Sequence, residues 1–227
     1  PRSTLFPYTT LFRSPSPADD GIFLEGGRLM LRARGRAPLS VGISETRLAG
    51  RHNLENIAAA VLATLAAGGS AEGIASALAD FRGLPHRLEY VATVGGVRYF
   101  DDSKGTNTDA VVRALEAFDS PVVLIMGGRD KGGGYGDLRE AVKRRVKSLV
   151  LIGEARDAIA RELGDCCGGR VEKVASMAAA VRCAHASAEP GDVVLLSPAC
   201  ASFDMFKSYA HRGEVFCRAV AELSEEP

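Results

Sequence analysis

Residues 122–152 read VVLIMGGRDKGGGYGDLREAVKRRVKSLVLI. An apolar run, Val122 to Met126, enters a glycine-rich loop, Gly127 to Gly134; an amphipathic stretch, Asp137 to Arg145, then leads to a second apolar run, Ser148 to Ile152. Short β-branched runs alternating with amphipathic helices mark a mostly parallel sheet with helices on its faces. The same unit recurs along the chain. Strands are expected at Leu88 to Val94, Val97 to Phe100, Val122 to Met126, Ser148 to Ile152, Arg170 to Val174 and Val193 to Leu196. Helices are expected at Asn107 to Ala117, Asp137 to Arg145, Arg156 to Leu163, Met177 to Ala188 and Phe203 to Leu223. The fold class is α/β, with a Rossmann-like, mostly parallel sheet.

Upstream the pattern differs. Between Gly21 and Arg47, Ile22-Phe23-Leu24 and Leu29-Met30-Leu31 flank Gly26-Gly27, a pair suited to a hairpin turn. Leu54, Ile57, Ala58, Val61, Leu62 and Leu65 then recur at helical spacing, and Gly68-Gly69 stops that helix. Ser70 is placed to cap a second helix carrying Ile74, Ala77, Leu78 and Phe81 on one face. A boundary near Pro85 divides residues 15–84 from 85–227. Residues 1–14, PRSTLFPYTTLFRS, show neither helical nor strand period nor a secretory apolar core, and resemble translated sequencing-adapter sequence. They are set aside as a tail.

Lys plus Arg and Asp plus Glu each number 28 in 227 residues, so no bulk field draws the chain to nucleic acid or to an anionic membrane. The longest nearly apolar stretch, Ile57 to Ala67, falls short of the roughly 20 residues that cross a bilayer. Five cysteines, odd in number and without a CxxC pair, fit a reducing cytoplasm better than a disulfide framework. Spacing offers no metal-ligand set, and no metal site is expected among these residues.

Chemistry concentrates after three strands. Phe100 runs into Asp-Asp-Ser-Lys-Gly-Thr-Asn, Met126 into Gly-Gly-Arg-Asp-Lys-Gly-Gly-Gly, and Leu196 into Ser-Pro-Ala-Cys-Ala-Ser. If those strands are parallel, their carboxyl ends share one edge, where open α/β sheets bind ligands. Asp102, Lys104, Thr106, Lys131 and Ser202 would then converge. The 127–134 loop offers backbone N–H groups and cationic side chains to an anion, with a solvent-exposed glycine turn as the competing reading. Neither GxGxxG nor GxxxxGK[ST] occurs in the chain. Asn53 and Asn56 share a helix face, although Asn53 also suits a helix cap. Arg87, beside the boundary, can hold a phosphate through its planar fork or form a surface ion pair.

Five segments in order, Gly50-Arg51-His52-Asn53-Leu54-Glu55-Asn56, Leu84-Pro85-His86-Arg87-Leu88-Glu89, Asp101-Asp102-Ser103-Lys104-Gly105-Thr106-Asn107, Gly127-Gly128-Arg129-Asp130-Lys131-Gly132 and Ser197-Pro198-Ala199-Cys200-Ala201-Ser202-Phe203-Asp204, resemble those of the Mur ligases. The loops at 101–107 and 197–202 are similar to those of the member that takes D-glutamate. This resemblance implies ATP-driven amide formation in the cytoplasmic stage of peptidoglycan synthesis. The carboxylate of UDP-N-acetylmuramoyl-L-alanine would take the γ-phosphoryl group of ATP, and the amine of D-glutamate would attack the acyl phosphate. By the same resemblance, Asn53, Asn56, Arg87 and Asp102 contact ATP. Thr106 and Lys131 hold one carboxylate of D-glutamate, Ser202 and the backbone near Tyr209 hold the other, and Lys104 adds substrate charge. Family members commonly carry Phe where Tyr209 stands, so its hydroxyl has no implied role.

The resemblance makes residues 15–84 the end of a central ATPase domain and residues 85–227 a C-terminal domain. The family's phosphate loop and Mg2+ ligands are absent from these residues and expected upstream, so the chain is expected to be inactive alone. It is expected to act as a monomer on small molecules. Two alternatives stay open at this point: a sister Mur or folylpolyglutamate-type ligase, and a non-catalytic α/β module that binds an amino acid or nucleotide. A dinucleotide-dependent oxidoreductase fits poorly, because the glycines have the wrong spacing.

Overall fold

The structure, a computed structural model, describes residues 21–32, 38–43, 51–81 and 83–225. The segment 1–14 lies outside the described residues. The chain forms two compact units, one ending at Gly83 and the other beginning at Leu84.

In the first unit, β1 (Gly21–Glu25) and β2 (Arg28–Arg32) pair antiparallel about Gly26-Gly27, both at positive φ, and β3 (Leu39–Gly42) adds to β2. Helices α1 (Arg51–Ala66) and α2 (Ala71–Asp80) follow. Ser70 caps α2, its hydroxyl accepting the Gly73 N–H at 3.1 Å. Ile22, Leu29, Val41, Ile57, Val61 and Ile74 build one shared core. Helix α1 begins two residues before Asn53, so Asn53 lies in its first turn and is not its cap.

The second unit opens with an antiparallel pair, β4 (Glu89–Val94) and β5 (Val97–Asp101). After α3 (Thr108–Glu116) come β6 (Val122–Gly127), a 3-10 turn at Gly136–Leu138, α4 (Arg139–Arg145), β7 (Val146–Ile152), α5 (Arg156–Leu163), β8 (Val171–Lys173), α6 (Met177–Ser187), β9 (Val193–Leu196) and α7 (Tyr209–Glu225). The sheet order is β4-β5-β9-β6-β7-β8, and every pair except β4-β5 is parallel.

The central strands read as near-continuous apolar runs because both faces are covered. Val122, Leu124 and Met126 join a core with α3, α4 and α5, while Val123 and Ile125 join another with α6 and α7. All five are fully buried. A period of two thus sorts each strand between two helical layers.

Two expected helices need correction. The stretch Asp137 to Arg145 is divided, because Tyr135 to Leu138 close a tighter turn before α4. Residues 203–208 are not helical: the Ser202 carbonyl accepts both the Met205 and Phe206 N–H groups in a turn, and Ser208 Oγ accepts the His211 N–H to start α7 later.

Candidate ligand-binding edge of the second unit

Strand β9 lies between β5 and β6, and all three run the same way. Their carboxyl ends, at Asp101, Leu196 and Gly127, are therefore adjacent, and the three polar loops leave from one edge. The loops are also bonded to one another. Gly127 N–H donates to the Pro198 carbonyl at 3.0 Å, Arg129 N–H to Ala201 at 2.9 Å, and Ala199 N–H to Gly105 at 2.9 Å. At Gly128, with φ +139°, a Cβ would run into the Ala201 carbonyl oxygen, so glycine is what lets the 127–134 and 197–202 loops close on each other.

Lys131 Nζ donates to the Thr106 carbonyl at 2.7 Å, bringing together two residues 25 positions apart. Lys131 is exposed and Thr106 partly so. Lys104 extends its ammonium over the Tyr209 ring, 5.2 Å from the centroid, and its N–H is held by the His86 carbonyl at 2.9 Å. Ser202 follows the Ala201 junction and is buried, so its hydroxyl sits beneath the loop surface. Ser103 Oγ donates to the Tyr209 carbonyl at 2.7 Å. Lys104, Thr106, Lys131 and Ser202 thus belong to loops of one edge, and Tyr209, the first residue of α7, is bonded to one of those loops.

Asp102 is nearly buried. Its Oδ2 accepts the Ser197 hydroxyl at 2.7 Å and its Oδ1 the Leu88 N–H at 3.3 Å. Burial pushes its carboxyl up to about 7, against the lowering effect of those two bonds. Arg87 is exposed and stands between His86 and Leu88, both at positive φ, 62° and 48°. Ala199 is the third non-glycine residue with positive φ among those described. Such conformations cost on the order of 1–3 kcal/mol each and persist where the surroundings over-determine them. Asn53 and Asn56 lie on α1 in the first unit, Asn53 partly buried and Asn56 exposed.

Sequence reading missed the group that ties this edge together. Arg212, fully buried, donates from Nε to Ser103 Oγ at 2.9 Å, from Nη2 to the Ser103 carbonyl at 2.7 Å and from Nη1 to the Cys200 carbonyl at 3.1 Å. Desolvation pulls its guanidinium down to about 10, which leaves it charged at neutral pH. The available signal was its spacing: Arg212 stands four residues before Phe216 and eight before Val220, both buried. Tyr135 was also missed. Its buried hydroxyl lies 3.2 Å from Asp130 Oδ1 and 3.1 Å from Cys200 Sγ, joining the glycine-rich loop to the loop after β9.

A family model described as the glutamate ligase domain of Mur ligases matches residues 86–200, half of the chain. The chain belongs to the Mur ligase family. It is 48% identical over 216 residues to the UDP-N-acetylmuramoylalanine--D-glutamate ligase of Desulfosudis oleivorans, covering 94% of this chain and 46% of that protein. Against the ligase of the same name from Geotalea daltonii it is 45% identical over 223 residues, covering 98% and 48%. The chain spans about half the length of these curated relatives. Among solved Mur ligases, its fold is similar to MurF from Acinetobacter baumannii, with TM-score 0.63, 20% identity and coverage of 95% and 47%. It is also similar to the UDP-N-acetylmuramate-alanine ligase MurC of Thermotoga maritima, with TM-score 0.62, 16% identity and coverage of 88% and 46%. No helix among the described residues is long and apolar enough to cross a membrane.

Proposed function

We propose that this chain supplies the amino-acid-binding half of an ATP-dependent ligase that joins D-glutamate to UDP-N-acetylmuramoyl-L-alanine for peptidoglycan synthesis, acting as a cytoplasmic monomer. The observation that carries this reading is the Lys131–Thr106 contact, 2.7 Å long, on an edge where three parallel strands end side by side. The names of its relatives support the same substrate.

D-glutamate brings two carboxylates and one amine. Lys131 is a mobile point charge on an exposed loop, suited to neutralise one carboxylate beside Thr106. Ser202 and the chain near Tyr209 would take the other. Clamped at both ends, the amino acid has its amine directed toward the activated carboxylate of the acceptor, and that positioning lowers the barrier. ATP is the second substrate. Each oxygen of Asp102 accepts one protein donor and retains a lone pair for a hydroxyl, and Arg87 offers an exposed fork for phosphate. Asn53 and Asn56 would contact its base.

Mg2+, which the family implies alongside ATP, does not fit the groups of this chain. Among the described residues, His86, Glu89 and Asp101 form the one grouping of three such donors, and a histidine-containing set is a poor match for a cation that takes oxygen ligands.

Calorimetry with D-glutamate, L-glutamate and UDP tests the reading. Binding of D-glutamate alone among the three supports it. Equal heats from both enantiomers, or none from D-glutamate, would remove it. Because no GxxxxGK[ST] segment occurs in the 227 residues, the chain by itself is expected to release no phosphate from ATP when D-glutamate is added.

A further inference from the structure

Lys131 stands between two residues tied to one oxygen atom. Asp130 Oδ1 accepts the Gly132 N–H at 2.9 Å and the Tyr135 hydroxyl at 3.2 Å, so the backbone on either side of Lys131 is folded around that carboxylate. The same hydroxyl lies 3.1 Å from Cys200 Sγ, two residues before Ser202. One buried phenol therefore touches both of the loops proposed to clamp the amino acid.

Resting on the ligase reading, we propose that the Tyr135 hydroxyl is a positioning group: it sets the separation of the Lys131 and Ser202 clamps, and so selects a dicarboxylic amino acid of glutamate length over aspartate.

The ring is a fixed post. Tyr135 N–H is held by Glu162 Oε2 of α5 at 2.7 Å, and the Tyr135 carbonyl accepts the Leu138 N–H at 3.0 Å. A phenol has a single proton to give. Asp130 Oδ1 receives it, so the Cys200 thiol is the donor to the phenol oxygen, and the bonds run in one direction from Cys200 through Tyr135 to Asp130. Burial pushes both the hydroxyl and the thiol up, which keeps both protons in place at neutral pH.

Charged clamps measure chain length only when their spacing is held. Lys131 is exposed and its side chain is flexible, so its reach discriminates nothing unless the backbone at 130–132 is fixed. The bond from Arg129 N–H to the Ala201 carbonyl joins the two loops at one point. Tyr135 supplies a second tie beside Lys131, and two ties fix a separation where one leaves a hinge. Glutamate and aspartate differ by one methylene, a difference worth about 10–200-fold in a fitted pocket.

The test is calorimetry of D-glutamate and D-aspartate binding to the purified chain and its variants. Tyr135→Phe keeps the ring and removes the hydroxyl. It should bind D-glutamate about tenfold more weakly, the size of one hydrogen bond to a charged group, and leave D-aspartate binding unchanged, so the preference falls by the same factor. Asp130→Ala, at an exposed position, cuts the same tie without opening the core. Its lost charge acts on both ligands alike, so the preference should fall as in Tyr135→Phe, and combining the two substitutions should lower it no further. Asp130→Asn, which keeps the accepting oxygen, should retain the preference. A tyrosine needed only for stability would lower the urea midpoint and leave the preference as it was. An unchanged preference in Tyr135→Phe, or in Asp130→Ala should Tyr135→Phe not fold, would overturn the proposal, as would additive losses in the double variant. A parent chain that binds no D-glutamate would remove the ligase reading and this inference with it; a parent that binds, beside variants of unchanged preference, would remove the inference alone.

Discussion

The Arg212 guanidinium reaches across 109 residues of sequence to bond Ser103 twice, at its carbonyl and at its hydroxyl. A third bond, to the Cys200 carbonyl, makes one buried cation the common anchor of the loops after β5 and β9. Removing it strands two carbonyls in the interior and opens a cavity. Arg212→Ala is expected to cost about 3 kcal/mol or more in urea unfolding. Arg212→Lys, with a charge but no fork, should recover only part of that. A loss below about 0.5 kcal/mol for Arg212→Ala would show that the loops hold each other without it.

Asp102 should make the second unit less stable as pH rises. Its carboxyl is raised from 3.8 in the unfolded chain to about 7 in the fold, chiefly by burial. The folded state therefore holds a proton that the unfolded state releases. Stability from this group is greatest below pH 4, falls between pH 4 and pH 7, and stays low above that, by on the order of 2–4 kcal/mol in all. In Asp102→Asn this contribution to the slope should vanish. Denaturation of both proteins at pH 5 and pH 8, with a chelator present, checks the sign: parallel behaviour would mean that Asp102 is ionised throughout.

Gly128→Ala places a methyl group against the Ala201 carbonyl and forces a residue with a side chain to φ +139°. The junction between the 127–134 and 197–202 loops should open. Expected is a destabilisation of several kcal/mol, of the size seen for strain at special backbone positions, with faster amide exchange at Arg129, whose N–H is bonded across that junction. Unchanged exchange at Arg129 would contradict the close approach.

Much of the second unit could be read from its residues because its signals are local. Val122 to Met126 and Val193 to Leu196 are uniformly apolar, as strands covered on both faces must be, and the polar loops follow directly. That the three loops leave one edge also followed, once the strands were taken as parallel; that β9 inserts between β5 and β6 and makes them neighbours did not. What was not legible depends on distant partners. Nothing in Phe203 to Ser208 says that the Ser202 carbonyl will close a turn there, or that Asp204 Oδ2 will take the Glu154 N–H at 3.0 Å from another loop. Arg212 looks like an ordinary helical arginine until its buried face is counted. Tyr135 gives no hint of Cys200, 65 residues away. In the first unit, Asn53 taken alone read better as a cap, and the start of α1 at Arg51 overturns that.

Lys131 is exposed, so Lys131→Ala should unfold like the parent chain. Its binding of D-glutamate should weaken by roughly tenfold to a hundredfold, the range of one charged hydrogen bond at about 1.5–3 kcal/mol. Lys131→Arg should restore part of the affinity. Undiminished binding by Lys131→Ala would move the carboxylate clamp to other residues.

The most direct measurement is a map of backbone amide shifts in the labelled chain during titration with D-glutamate. The account predicts saturable shifts concentrated in residues 102–107, 127–134 and 197–209, on the one edge where β5, β9 and β6 end. Saturable shifts confined to the opposite ends of those strands, or no shifts at millimolar D-glutamate, would contradict it.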